Sequence, residues 1–251
     1  MAPRLDLSRS RSLRWATMTA SPPDSALMRP SHQAAGTSSP VTLTVTGLAC
    51  QRNERTLFNG LSFTLGPGDA LILTGPNGVG KTSLLRILGG LLRPAGGAIT
   101  FRPASGELDL AQRSIFISGR DPLKGALIVR ELVEGWRSVA FPASPPGLTA
   151  QALGAFGLTS LAETPCAYLS SGQRRRASLA RLGLVGAADR PLWLLDEPTN
   201  ALDAGARSKL AEAVARHRAS GGLVIAATHD PLDWPGSAHL DLGAFRPEPG
   251  L

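Results

Sequence analysis

Apolar residues alternate with threonines at Val41, Leu43 and Val45, a pattern that predicts a half-buried strand over residues 41–46. Residues 61–65 repeat the alternation, and Gly66-Pro67-Gly68-Asp69 turns the chain into an apolar run at 70–74 that predicts a buried strand. Two strands so close together predict a small antiparallel sheet. Residues 81–90 place Leu84, Leu85, Ile87 and Leu88 on a helical face. A turn at 94–97 leads to strands at 98–101 and 114–118. From Gly119 to about Leu169 the pattern becomes helical, with helices over 129–139 and 149–156 parted by the Pro-rich breaker 141–147. A helix over 173–186, a buried strand at 191–195, a long amphipathic helix over 204–219 and a buried strand at 223–227 complete the chain. This alternation predicts an α/β fold with a mainly parallel sheet, a small antiparallel part and a helical insert.

Composition changes this picture little. The 251 residues suffice for one sizeable α/β domain, and with aromatics at only 5% the core must be mostly aliphatic. Residues 1–40 are rich in Arg, Ser, Ala and Pro and have no periodicity. They are expected to be a disordered extension, or translation from upstream of a start at Met18 or Met28. The folded domain is expected over 41–251, with a helical subdomain at about 119–170. The net charge of +7 divides into +3 before residue 41 and +4 after it, so the body is only mildly basic and no nucleic-acid partner is expected. Cys50 and Cys166 have no metal or disulfide spacing and are read as small apolar residues in a reducing compartment. No apolar run approaches the ~18–20 residues that a membrane span needs.

The candidate chemistry begins at Gly75-Pro76-Asn77-Gly78-Val79-Gly80-Lys81-Thr82, which meets the phosphate-loop pattern G-x-x-x-x-G-K-[ST] between a predicted strand and a predicted helix. Glycines let the backbone wrap a phosphate chain with its N–H groups inward, against the positive end of the following helix. Lys81 is placed to reach the β- and γ-phosphates, and the Thr82 hydroxyl to ligate Mg²⁺. Ser83 completes the candidate nucleotide-binding set. Residues 192–197, Leu-Trp-Leu-Leu-Asp-Glu, are an apolar strand ending in two carboxylates, the second half of a phosphate-loop ATPase. Asp196 is assigned to the metal, largely through its water shell, and Glu197 to the attacking water.

Leu169-Ser170-Ser171-Gly172-Gln173 lies shortly before that strand and opens a basic helix at Arg174-Arg175-Arg176. Here the chain resembles the ATP-binding-cassette (ABC) family, whose signature reads LSGGQ. Asn200-Ala201-Leu202-Asp203 resembles its D-loop, and His229, after a buried strand, its switch histidine. The resemblance covers residues 41 to about 242. Within the family it is closest to the ATPase subunits of bacterial cytochrome c maturation systems of the haem-exporter type, on residues 55–63, 121–124 and 190–198.

The resemblance implies ATP and Mg²⁺ as cofactors, Glu197 and His229 as catalytic residues, and Thr82 and Asp196 at the metal. It implies a homodimer in which ATP lies between residues 75–83 of one copy and Ser170, Ser171, Gly172 and Gln173 of the other, with Asp203 in the D-loop. Integral membrane subunits docked near 119–141, on the cytoplasmic face of the bacterial inner membrane, are the implied partners. Two positions depart from the family pattern. Arg52 stands where an aromatic often stacks on adenine. Arg120 stands near the family's Q-loop glutamine, and Asp121 is expected to supply the missing oxygen. Another ABC exporter, or a nucleic-acid- or ribosome-associated ABC ATPase, is the alternative. A nucleotide-gated module without turnover is disfavoured by the presence of Glu197, and a small-molecule kinase by the signature segment and His229.

Overall fold

The computed structural model describes residues 40–102, 110–120, 123–140, 142, 144, 147–232 and 234–247. The expectations for residues 1–39 and for Asp121 lie outside this range, as does part of the breaker at 141–147.

The chain opens with β1 (Thr42–Arg52) and β2 (Arg55–Leu65), which form an antiparallel hairpin closed through Asn53 and Glu54 at φ 46° and 63°. With β4 (Gly96–Arg102) they make a three-stranded sheet of order β2-β1-β4. One face is buried: Leu43, Val45, Leu48 and Cys50 on β1 meet Phe58, Leu61 and Leu65 on β2, as expected of a sheet covered on one side.

The second sheet has five parallel strands in the order β5-β6-β7-β3-β8. Its strands are β3 (Ala70–Thr74), β5 (Ser114–Ile117), β6 (Leu192–Asp196), β7 (Leu223–Ala227) and β8 (Ala238–Asp241). β6 and β7 are buried at every position, because helices cover both faces; their sequences are accordingly continuous apolar runs rather than alternating ones. The helices are α1 (Lys81–Leu88), α2 (Leu110–Arg113), α3 (Val129–Ala140), α4 (Leu148–Ala155), α5 (Ser171–Leu179) and α6 (Ala204–Ala219). α3 and α4 form the insert. α3 is tied to the segment after α5 by Arg181, whose guanidinium lies 5.1 Å from the Trp136 ring centroid.

Several boundaries differ from the sequence pattern. The helix expected over 173–186 starts at Ser171, where Ser170 caps it, and tightens into a 3₁₀ helix over Ala180–Leu184. α1 ends at Leu88 because Gly89 and Gly90 terminate it, with the Gly89 N–H reaching the Leu85 carbonyl. Gly96 and Gly97, expected in a turn, begin β4. β8 and α2 were not signalled. β8 has one buried residue, Leu240, in four and is held by pairing with β3 rather than by its own pattern.

Beneath the sheet, His217 on α6 stacks on Trp193 of β6 with centroids 3.9 Å apart and planes 15° apart. Its Nε2 lies 3.2 Å from the Pro191 carbonyl oxygen, while Nδ1 is buried with no hydrogen-bond partner among the described residues. Burial pulls the pKa from 6.5 down to about 4, against backbone hydrogen bonding at Pro191 and Leu223 that favours the charged ring. The unfolded chain therefore takes up a proton below its ordinary value of 6.5 that the folded chain refuses until about 4, and stability falls as pH drops through that window. Urea unfolding at pH 7 and pH 4.5 should show a loss of about 2 kcal/mol from this group, and His217→Gln should remove that component of the pH dependence.

Candidate active site

The cleft forms at the C-terminal edge of the parallel sheet, and strand register decides what meets there. Leu73 pairs with Ala227, and Ala227 with Asp196, so β3, β7 and β6 end on a common row. Just beyond it, β3 runs through Thr74 into the phosphate loop, β7 through Thr228 to His229, and β6 into Glu197. The cleft has a volume of about 530 Å³ and is walled by Leu57, Asn77, Gly78, Gly80, Lys81, Thr82, Ser83, Asp196, Glu197, Asn200 and His229.

Gly80 enters α1 at φ 114°, and a Cβ there would stand 3.0 Å from the Phe58 ring, so both backbone and space require glycine. The buried Lys81 side chain folds back over the loop that precedes it. Its Nζ donates to the carbonyls of Gly75 at 2.6 Å and Pro76 at 3.3 Å. Burial pulls the Lys81 pKa below the usual lysine range, and the carboxylates of Glu197, Asp196 and Asp241 oppose that pull. Thr82 Oγ1 donates to the Asp196 carboxylate, 3.1 Å and 3.0 Å from its two oxygens.

Glu197 and His229 face each other across the opening. The His229 N–H donates to Glu197 Oε2 at 3.3 Å, and His229 Nε2 lies 3.5 Å from Glu197 Oε1 and 3.2 Å from Lys81 Nζ. An ammonium only donates, so Lys81 bonds Nε2 when that nitrogen carries no proton; with a proton on it, Nε2 turns its donor to Glu197 instead. The imidazole is thus poised between a cation and a carboxylate.

The structure brings together Asn77, Gly78, Gly80, Lys81, Thr82, Ser83, Asp196, Glu197 and His229, while Gly75, Pro76 and Val79 do not line the cleft and Gly75 and Pro76 hold Lys81 through their carbonyls. Ser170, Ser171, Gly172, Gln173 and Asp203 do not line this cleft. Ser170 Oγ accepts from the Gln173 N–H at 3.3 Å, and Gln173 Oε1 accepts from the Ser170 N–H at 2.8 Å, a capping box that opens α5. A Cβ on Gly172 would come within 2.7 Å of the Ala201 carbonyl oxygen, so this glycine lets the turn before α6 approach α5. Asp203 caps α6, accepting from the Ala206 N–H at 2.7 Å. Arg52 and Arg120 are exposed and absent from the cleft wall; the apolar side chain at its rim is Leu57, which sequence alone did not single out. Cys50 and Cys166 are free, buried thiols, and burial raises the pKa of both.

The three arginines after Gln173 form no basic surface. Arg174 donates to the Leu169 and Ala167 carbonyls, and Arg176 to that of Gly157. Arg175 is only 1% exposed and lies beneath the carboxylate strand. Nothing in the triple-arginine pattern distinguishes the middle one.

Comparison with known proteins places these features in context. The ABC transporter family model matches residues 58–200. A cytochrome c biogenesis ATP-binding export protein CcmA of Rhodopseudomonas palustris (strain BisB5) is 48% identical over 186 residues, 74% of this chain and 90% of the relative. The protein of the same name in Rhodospirillum rubrum is 46% identical over 205 residues, 80% of this chain and 86% of the relative. Among solved structures, a putative ABC transporter ATP-binding protein from Pyrococcus furiosus superposes with TM-score 0.70 at 20% identity, covering 82% of this chain and all (100%) of its own. An ATP-binding cassette described as dimeric, post-hydrolysis and bound to ADP and Pi superposes with TM-score 0.67 at 23% identity, covering 80% of this chain and 95% of its own.

Lys81→Met removes the ammonium while keeping most of the side-chain volume. Affinity for MgATP should fall about 100-fold in a fluorescence titration, the loss of roughly 2–3 kcal/mol that charge-assisted bonds to phosphate supply.

Proposed function

The chain belongs to the ABC transporter family of ATP-binding proteins, and we propose that it is the ATP-hydrolysing subunit of a membrane complex for haem export and cytochrome c maturation. The observation that carries the reading is the convergence of Lys81, Thr82, Asp196, Glu197 and His229 on one cleft. The destination in cytochrome c biogenesis rests on the relatives, whose names describe ATP-binding export proteins for that process and which match at 46–48% identity.

The N–H groups of residues 77–83 and the α1 N-terminus receive the phosphates. Lys81 exchanges the Gly75 and Pro76 carbonyls for β- and γ-phosphate oxygens. Thr82 and Asp196 present a hydroxyl and a carboxylate within 3.1 Å of each other, hard oxygen donors that suit Mg²⁺. No group of three or more His, Cys, Asp or Glu side chains fit to hold a metal occurs among the described residues, so Mg²⁺ would share its coordination with phosphate oxygens and water. Bound there, Mg²⁺ neutralises charge on the phosphates. Glu197 takes the proton of the attacking water, and His229, held to Glu197 through its backbone, contacts the γ-phosphate and orients that water.

Ser170, Ser171, Gly172 and Gln173 lie at the N-terminus of α5 and act on the nucleotide of a second copy, which requires a two-fold, self-complementary dimer with two equivalent sites. Asp203 belongs to the D-loop at that interface. No described helix is long and apolar enough to cross a membrane. Integral membrane subunits, docked around residues 119–141, receive the opening and closing motion at the cytoplasmic face of the bacterial inner membrane.

Residues 41–251 should hydrolyse ATP, and Glu197→Gln should reduce kcat by at least about 100-fold while keeping ATP bound. Light scattering should then show an ATP-dependent dimer in the variant. A variant that hydrolyses at the wild-type rate would remove Glu197 from the mechanism.

A further inference from the structure

Glu197 stands in the left-handed region, at φ 47°, a conformation that disfavours any residue with a Cβ and persists only where the surroundings enforce it. A buried cation faces its carbonyl. The Arg175 guanidinium donates through Nη2 to the carbonyls of Asp196 at 2.8 Å and Glu197 at 2.7 Å, and through Nε to that of Pro198 at 3.4 Å. Three consecutive carbonyls are thereby turned toward one planar donor group, and the backbone that does this must reverse at its middle residue, Glu197. From the other side, the Glu197 N–H is held by the Ala227 carbonyl at 2.7 Å. Arg175 Nη1 also donates to the Ser118 carbonyl at 2.7 Å, at the point where β5 gives way to the insert.

We propose that Arg175 is a positioning residue for ATP hydrolysis: its guanidinium holds the Glu197 backbone in the conformation that aims the carboxylate into the cleft, and ties that conformation to the start of the insert at Ser118. The inference rests on the ATPase reading of the cleft. Arg175 does not itself line the cleft, and it holds Asp196 and Glu197 through their backbone carbonyls. A planar fork with several fixed donors performs this task, and a lysine, with one mobile donor centre, performs it poorly. Movement of the insert relative to the sheet would reach Glu197 through the Ser118 contact, giving the membrane-facing part of the domain a direct hold on the group that activates water.

The test compares wild type, Arg175→Lys and Arg175→Met in the full chain, measuring kcat and KM for ATP, MgATP affinity by fluorescence titration, and thermal unfolding. Arg175→Met should lower kcat about 100-fold, as displacement of a catalytic group by about an ångström does, with KM and MgATP affinity changed less than about threefold. Arg175→Lys should recover part of kcat. A folded Arg175→Met protein with wild-type kcat overturns the proposal, as does one in which affinity falls as steeply as kcat. Should Arg175→Met fail to fold, Arg175→Lys decides: reduced kcat at unchanged KM supports the positioning role, and wild-type kcat overturns it. If wild type itself has no turnover, the ATPase reading fails; if wild type turns over and the variants match it, only the role of Arg175 does.

Discussion

Everything at the cleft depends on the hydrogen-bond register of three parallel strands. Because Leu73, Ala227 and Asp196 fall on one row, β3, β7 and β6 release their chains at the same height. A phosphate loop, a carboxylate pair and a histidine that are far apart in the chain then meet within hydrogen-bond distance. Slipping β6 by one residue against β7 would move Glu197 along the edge and turn Asp196 to the opposite face of the sheet. The apolar runs in these strands serve the chemistry indirectly, by burying both faces of the sheet whose edge carries the cleft.

The same edge must satisfy charges in a half-buried place, and it does so with its own backbone. Lys81 sits on two carbonyls of the phosphate loop, so its ammonium is compensated before any phosphate arrives. Thr82 and Asp196 compensate one another in the same way. On the proposed function, binding would exchange one set of partners for another instead of desolvating bare charges. Arg175 extends this economy inward, with one guanidinium donating to the carbonyls of Asp196 and Glu197 at the reversed turn after β6.

The signature segment follows a different logic. Ser170 and Gln173 bond each other's backbone, which gives α5 a well-defined start, and Gly172 lets the chain before α6 close against it. A helix N-terminus held this firmly and set outside its own cleft is suited to meeting a ligand carried by another molecule.

Much of this was legible from residues alone. The glycines and Lys81-Thr82 mark a loop between β3 and α1 because few other backbones need that spacing, and the apolar strand ending in Asp196-Glu197 marks the carboxylates that share its cleft. α6 and β7 have the bounds that hydrophobic spacing predicts, since their burial is set by their own pattern. Tertiary structure decided the rest. β8 exists because β3 offers it an edge; Leu57 reaches the cleft because the β1–β2 hairpin lies against the phosphate loop; and Arg175 differs from Arg174 and Arg176 only in the direction in which α5 points it. Local sequence encodes conformation and periodicity, but which of three identical side chains is buried beneath β6 depends on packing between segments that are distant in the chain, and only the folded molecule specifies that.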